Sequence, residues 1–383
     1  MTTAPRHDSL VFSLAYQTWA NAVEKGMSWS ADRMMEQALG DPALRQVVVA
    51  DPLRSQLSRL RRTPGRAVDG FPVGQGRHLI HPYRMRRRDA PGVDASARAY
   101  RRLDGWLARR AALLGAVGSV LVTTHPVLAA VANPDAWADI VYYGWDDWAA
   151  YPPFAHLDEL IRWSYDRMAA HDVSVIGVTE AIVERIGSSR GVVVPNGISA
   201  AEFDDLAPVP DWFARIHGPV AFYAGSLEER VDVAALIDLA DSLPDWTVVL
   251  IGFPNELSHF EVLRRRPNVI LRGPEPRRAV LHMMGEADVC LIPHRETPMT
   301  VAMSPLKLYE YLGAGAPVVA TDLPPMRGVS DRCRLVPPGE SLVSAVLEAA
   351  ATPKADPAEV RRFRQENDWA ERYRQWRSVA LGG

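Results

Sequence analysis

The sequence predicts an α/β protein whose two halves each carry a parallel sheet. Three observations support this. Short apolar, β-branched runs take turns with helical stretches, the pattern of strands joined by crossover helices. The alternation stops at Pro195, Asn196 and Gly197, is followed by the proline-rich "APVPDW" at 207–212, and then begins again. A chain of 383 residues, 48% apolar and 23% charged, is long enough for two soluble domains with separate cores. The expected boundaries are 1–196, 197–360 and a terminal helical segment, 361–383, that packs back toward the first domain.

In the first half, "LVFSLAY" (10–16) reads as a buried strand, "SADRMMEQAL" (30–39) as a helix capped by Ser30, and "RQVVVAD" (45–51) as the second strand. An arginine-rich region follows. Then come "SVLVTTH" (119–125), "ADIVYYGWDDW" (138–148), a helix over 157–170, "VSVIGVT" (173–179), a helix over 180–186 and "GVVVPNG" (191–197). In the second half "PVAFYAG" (219–225), "WTVVLIG" (246–252), "NVILRG" (268–273), "ADVCLIP" (287–293) and "PVVAT" (317–321) are strands, with helices over 231–241, 277–285 and 305–312. "PAEVRRFRQENDWAERYRQWRSVA" at the end reads as one charged helix with Phe363, Trp369, Tyr373 and Trp376 free to pack.

Net charge is only −3, but it is unevenly spread: Arg45 to Arg110 holds sixteen arginines against five aspartates and no lysine or glutamate. Such a patch attracts anions. The expected partners are a lipid-carrier phosphate or the anionic headgroups of a membrane touched peripherally, not nucleic acid; the plainer alternative is arginines decorating solvated helices. Cys290 and Cys333 are too few for a disulfide framework or a thiolate metal site, and no export signal is legible, so a cytoplasmic protein is expected, at most peripheral to the inner membrane face. The uncharged stretch Ala111 to Pro134 is long enough to span a bilayer, but Gly115, Gly118 and the polar "TTHP" divide it into a helix end, a strand and a loop.

The stretch "SPLKLYEYLGAGAPVVATDLP" (304–324) carries the clearest chemistry. With Ser304 as N-cap and Pro305 as first helical residue, the amides of the first turn, including that of Leu306, point to the strand end "LIPH" and its His294. A helix N-terminus is an anion site, and Lys307 adds a cation to it. Glu310, one turn on along the same face, can accept both hydroxyls of a ribose. Diphosphate plus ribose describes a nucleotide diphosphate. The plainer alternative is an exposed Lys/Glu pair, worth about 0.2–0.5 kcal/mol. "YAGSLEERVD" (223–232) offers a second strand end, where Gly225 lets backbone approach a ligand, Ser226 supplies a hydroxyl and Arg230 a fork for phosphate; Gly252 ends the neighbouring strand.

"YAGSLEERVD", "ADVCLIPH" and "SPLKLYEYLGAGAPVVATD", in this order and spacing, resemble the donor domain of bacterial glycosyltransferases of GT-B architecture, family-4-like (glycosyl transferases group 1). The resemblance covers residues 170–325 well and the first half only by layout. It implies two facing Rossmann-like domains with parallel sheets, Glu310 on the ribose, Lys307 and Arg230 on the diphosphate, and the Gly225–Ser226 turn beside the phosphates near the sugar. Ser226 and Val231 stand where many members carry Arg and Lys, and Met303 where many carry a glutamate. Sugar contacts and stereochemical outcome therefore stay open.

In the first half, Asp146 and Asp147 follow a strand end between Trp145 and Trp148. Aromatic walls suit a sugar face, and a carboxylate withdrawn from water can act as general base toward an acceptor hydroxyl. Asp146 is preferred because the segment resembles one bearing an acidic residue in related inverting enzymes; Asp147 could instead cap the next helix. His125 ends another strand and could touch acceptor or donor phosphate, while Tyr16, Gln17 and Trp19 are expected to face the cleft on the acceptor side. "GSSRG" (187–191) lies between a helix and a strand, the reverse of a nucleophile elbow, and "GQGRHL" (74–79) lacks the third glycine of a dinucleotide fingerprint. With no D-x-D triplet either, no metal and no cofactor beyond the nucleotide sugar is expected. The expected function is transfer of a sugar from a nucleotide diphosphate sugar to the hydroxyl of a glycan, lipid-linked sugar or small molecule. The alternatives are a non-hydrolysing sugar-nucleotide epimerase and a catalytically silent nucleotide-sugar-binding partner.

Overall fold

The computed structural model describes residues 7–56, 70–72, 74–86, 91–253 and 257–382. Two compact units emerge: Met1–Pro195 with Arg372–Gly383, and Asn196–Glu371. Arg59, Arg61, Arg62, Arg66, Arg87 and Arg88 of the arginine-rich region lie outside the described residues.

The first unit is built on a seven-stranded sheet of β1 (Ser9–Ser13), β2 (Gln46–Ala50), β4 (Arg77–Ile80), β6 (Val120–Thr123), β7 (Asp139–Gly144), β8 (Ser174–Gly177) and β9 (Gly191–Val193); β3 (Arg54–Ser55) and β5 (Tyr83–Arg84) pair separately. The order is β4-β2-β1-β6-β7-β8-β9 with every neighbour parallel, so the direction of winding reverses between β1 and β6. Burial of both sheet faces explains why these strands read as continuous apolar runs, with Leu10, Phe12, Val48 and Val122 fully enclosed.

The second unit repeats the plan with β10 (Val220–Ala224), β11 (Thr247–Ile251), β12 (Val269–Arg272), β13 (Val289–Ile292), β14 (Val318–Thr321) and β15 (Cys333–Val336), ordered β12-β11-β10-β13-β14-β15 and all parallel. This is the doubly-wound Rossmann order, whose ligand crevice opens where the order reverses, here between β10 and β13. Consecutive residues feed opposite layers: Phe222 packs with Leu308 and Tyr311, and Tyr223 with Leu236 and Val346.

Several local expectations are corrected. Ser30 is the first residue of its helix, Ser30–Gly40; the cap is Trp29, whose amide donates to Asp32 Oδ2 at 3.2 Å. The strand expected over 138–148 ends at Gly144, because Asp146 Oδ1 accepts the Asp147 amide and turns the chain. The terminal helix is two, Pro357–Glu366 and Trp369–Leu381, broken where Asp368 spends its carboxylate on the amides of Ala200 and Ala370. Within the first unit, Trp376 of the last helix is fully buried and stacks on Phe12 at 6.0 Å, while Tyr373 donates to Asp41 at 2.9 Å. A 21-residue helix, Val93–Leu113, occupies the arginine-rich region, and no described helix is long and apolar enough to cross a membrane.

Candidate functional site

At the carboxyl end of β10 the chain is pinned from two sides. Tyr311, on helix Leu306–Gly313, accepts the Ala224 amide at 2.9 Å, and the Gly225 amide donates to Ile251 at 2.9 Å. A Cβ on Gly252 would lie 1.7 Å from the Gly225 carbonyl oxygen, so only glycine fits there. A Cβ on Gly225, at φ +147°, would lie 2.9 Å from Lys307 Nζ. The bare strand end is therefore what lets the lysine reach across the crevice.

Lys307 Nζ sits 5.1 Å from the centre of the Tyr223 ring, whose hydroxyl donates to Ser226 O at 3.0 Å. Burial pushes the Lys307 pKa down to about 7, and the Arg230 guanidinium adds to the fall. Arg230 pairs with Glu228 through Nη2 and leans on Met303 Sδ at 3.7 Å through Nη1, while its buried Nε has no hydrogen-bond partner among the described residues. Met303 thus packs on a guanidinium where a glutamate is common in the proteins the motif resembles. His294 follows β13, is 1% exposed, and finds no hydrogen-bond partner for either ring nitrogen among the described residues. Burial first, then Lys307 and Arg230, hold it well below the usual histidine range, so it is neutral. The loops carrying these groups are zipped together: Asp232 N donates to Pro293 O at 2.7 Å and Arg295 N to Arg230 O at 2.8 Å. Lys307, Arg230 and His294 together present nitrogen to one crevice in which Glu228 answers Arg230 and Lys307 forms no ion pair among the described residues; a diphosphate would supply the further negative charge.

Glu310, its side chain 15% exposed, accepts from Arg277 Nη1 at 2.8 Å, and Arg277 Nη2 reaches Glu202 at 2.6 Å. The helix start differs from expectation. Pro305 is the N-cap, with extended ψ of 109° and no side-chain cap bond, so Leu306 opens the helix. Ser304 serves instead to hold Asn196, whose amide reaches Ser304 Oγ at 3.3 Å and whose side chain reaches Ser304 O at 2.7 Å. Asn196, read from sequence only as a turn residue, is therefore a clamp on the helix tip.

In the first unit the corresponding reversal brings together Tyr16 after β1 and His125 after β6; the Ala15 amide donates to Thr124 Oγ1 at 2.9 Å to tie the two ends. Both residues line a cavity of about 350 Å3 with Arg54, Arg84, Trp148 and Phe154. Tyr16 is boxed by Trp148 at 4.8 Å, Trp145 at 5.3 Å and Phe154 at 5.4 Å. His125 shares a 2.7 Å hydrogen bond between Nε2 and the Tyr100 hydroxyl, and burial drops its pKa to about 3, so it is neutral and cannot serve as a cation toward phosphate. Tyr100 was missed in the sequence, although it lies on the apolar stripe Ala97, Tyr100, Leu103, Leu107, Ala111 of its helix.

The two aspartates separate. Asp147 is 1% exposed, pairs with Arg185 at 2.8 Å, and accepts from Tyr165 at 3.2 Å and the Ala149 amide at 3.0 Å. That is a capping carboxylate. Asp146 is half-buried beside Tyr16, whose hydroxyl is pushed up first by burial and then by this charge. Trp19 and Gln17 are corrected: Trp19 is 3% exposed against Phe71, and Gln17 donates to Asp32 at 2.5 Å, so both belong to the core.

Residues 218–352 match the family model described as glycosyl transferases group 1. The second unit carries a group 1 glycosyltransferase domain. TuaH of Bacillus subtilis (strain 168), named as a teichuronic acid biosynthesis glycosyltransferase, is 28% identical over 218 residues, 52% of this chain and 55% of TuaH. The match thus spans about half the length of that relative. Among solved structures, HepE of Anabaena in complex with UDP is 13% identical over 97% of this chain and 95% of its own, with a TM-score of 0.60. A glycosyltransferase of Rickettsia africae ESF-5 is 12% identical over 96% of each chain, with a TM-score of 0.63. These likenesses show the fold, GT-B, with the glycosyltransferase domain as the second of its two Rossmann-like units.

Proposed function

We propose that this chain is a glycosyltransferase that moves a sugar from a nucleotide diphosphate sugar, bound by the second unit, to the hydroxyl of an acceptor bound by the first. The observation that carries this reading is the crevice at the β10/β13 reversal, where half-buried Lys307 and Arg230 meet the buried, neutral His294 and Gly225 lacks a side chain that would block Lys307. Charge that develops on the departing diphosphate is stabilised there by groups already in place. Lys307 and Arg230 do this without a divalent metal, so chelation by EDTA leaves the rate unchanged. Glu310, oriented by Arg277, accepts the ribose hydroxyls.

On the acceptor side, Asp146 is the general base. It takes the proton of the attacking hydroxyl as the bond from the anomeric carbon to the diphosphate oxygen breaks. Trp145, Trp148 and Tyr16 supply sugar-stacking faces. A cytoplasmic location with peripheral contact to an anionic membrane, and a role in cell-surface glycan assembly, go with this reading; TuaH supports the glycan class by its name. A thermal-shift screen of UDP-, GDP-, ADP- and dTDP-sugars tests it, with UDP-sugars first because HepE was crystallised with UDP. Stabilisation by one of them that Glu310→Ala removes supports the assignment. Absence of any shift across the panel refutes it.

A further inference from the structure

Beside the aromatic cavity of the first unit lies a larger one of about 720 Å3, and the two share Leu53, Arg84 and Leu103. Its wall is one face of helix Val93–Leu113, on which Arg98, Arg102 and Arg109 alternate with Ala95, Ala99 and Trp106 at helical spacing. Like charges four residues apart cost a helix stability. Yet Arg86, Arg98, Arg102 and Arg109 have no hydrogen-bonding or ion-pair partner among the described residues. The helix's own carboxylates are elsewhere: Asp104 is buried, accepting from Trp137 at 2.7 Å and the Asn133 amide at 3.0 Å, and Asp94 lies in the first turn. The other wall carries apolar surface from Leu53, Pro82 and Met85, the last 84% exposed, beside Tyr83, Arg84 and Arg86.

A soluble anion would use the arginines and leave the apolar wall idle; a neutral chain would do the reverse. We propose that the two joined cavities hold one acceptor, a sugar linked through phosphate or diphosphate to an apolar chain. The chain and phosphate occupy the arginine-lined cavity and the sugar lies against Tyr16, Trp148 and Phe154. Arg84, which lines both, stands at the phosphate junction. This inference rests on the glycosyltransferase reading above and names its acceptor class.

Calorimetry on the full chain tests it with monomeric dodecyl phosphate, neutral dodecyl maltoside and inorganic pyrophosphate, with a nucleotide sugar titrated separately into each sample. Dodecyl phosphate is expected to bind at one site, about tenfold more tightly than pyrophosphate or the maltoside. Arg98→Gln/Arg102→Gln weakens it by about tenfold and Met85→Gln by about threefold, with nucleotide affinity unchanged in both. Equal binding of the maltoside, equal binding of pyrophosphate, or indifference to Arg98→Gln/Arg102→Gln overturns the proposal. So does sedimentation with phosphatidylglycerol vesicles in the absence of binding to monomeric dodecyl phosphate, which marks a membrane-contacting surface instead of a site. Loss of this inference leaves nucleotide binding intact, whereas failure of the glycosyltransferase reading removes nucleotide binding and leaves the dodecyl phosphate site.

Discussion

Arg277 Nη1 stands 2.8 Å from Glu310 Oε1, and the same guanidinium is held from behind by Glu202 at 2.6 Å. The carboxylate assigned to the ribose is thus fixed before any ligand arrives. Arg277→Met should leave Glu310 charged but unoriented, lowering nucleotide affinity about tenfold, the order expected for one charge-assisted hydrogen bond. Arg277→Lys should recover part of the loss. Calorimetric titration distinguishes this from a purely structural role, in which unfolding free energy falls and affinity does not.

Lys307 gives the site a pH signature. Burial lowers its pKa to about 7, and a bound diphosphate restores the usual lysine range, so binding takes up a proton above that value. Nucleotide-sugar affinity should fall by up to about tenfold per pH unit between pH ~7 and ~9, and Lys307→Met should flatten the profile. Stability runs the other way: across that window the unfolded chain keeps its lysine protonated while the folded one does not, so this group's contribution rises with pH. Titrations in buffers of different ionisation enthalpy measure the proton directly.

The paired glycines should fail differently. Gly252→Ala places a Cβ 1.7 Å from a backbone oxygen and should destabilise the second unit by about 1–3 kcal/mol or more, seen in urea unfolding. Gly225→Ala meets the flexible end of Lys307 at 2.9 Å but also strains a backbone held at φ +147°, so nucleotide affinity should drop together with a smaller loss of stability than at Gly252.

The neighbouring aspartates should separate as cleanly. Asp146→Asn should lower turnover by about 10²–10⁴-fold with donor affinity unchanged. Asp147→Asn should act on stability, because it disrupts a carboxylate buried to 1% exposure that pairs with Arg185 at 2.8 Å and accepts from Tyr165 at 3.2 Å. An active Asp146→Asn enzyme removes that residue as base.

Both sheets were legible because parallel strands covered on two faces, such as Val47–Ala50 and Val318–Thr321, need uninterrupted apolar residues. The convergence of Gly225, His294 and Lys307 followed from strand ends alone. What escaped was set by distant contacts. Ser304 looks like a cap in its own neighbourhood but is taken by Asn196, 108 residues away, while the extended backbone at Pro305 delays the helix by one residue. Trp19, beside a strand end, looks exposed until Phe71 is found 5.0 Å away covering it. The helix Val93–Leu113 was hidden because its buried stripe is carried by alanine, tyrosine and leucine among arginines.

A crystal structure of the chain with its nucleotide diphosphate sugar tests the central claim most directly. The account predicts phosphate oxygens within hydrogen-bonding distance of Lys307 Nζ, Arg230 and the Gly225–Ser226 turn, with the ribose hydroxyls on Glu310. A nucleotide bound away from the β10/β13 crevice, or Glu310 still turned wholly to Arg277 with the ribose elsewhere, would contradict it.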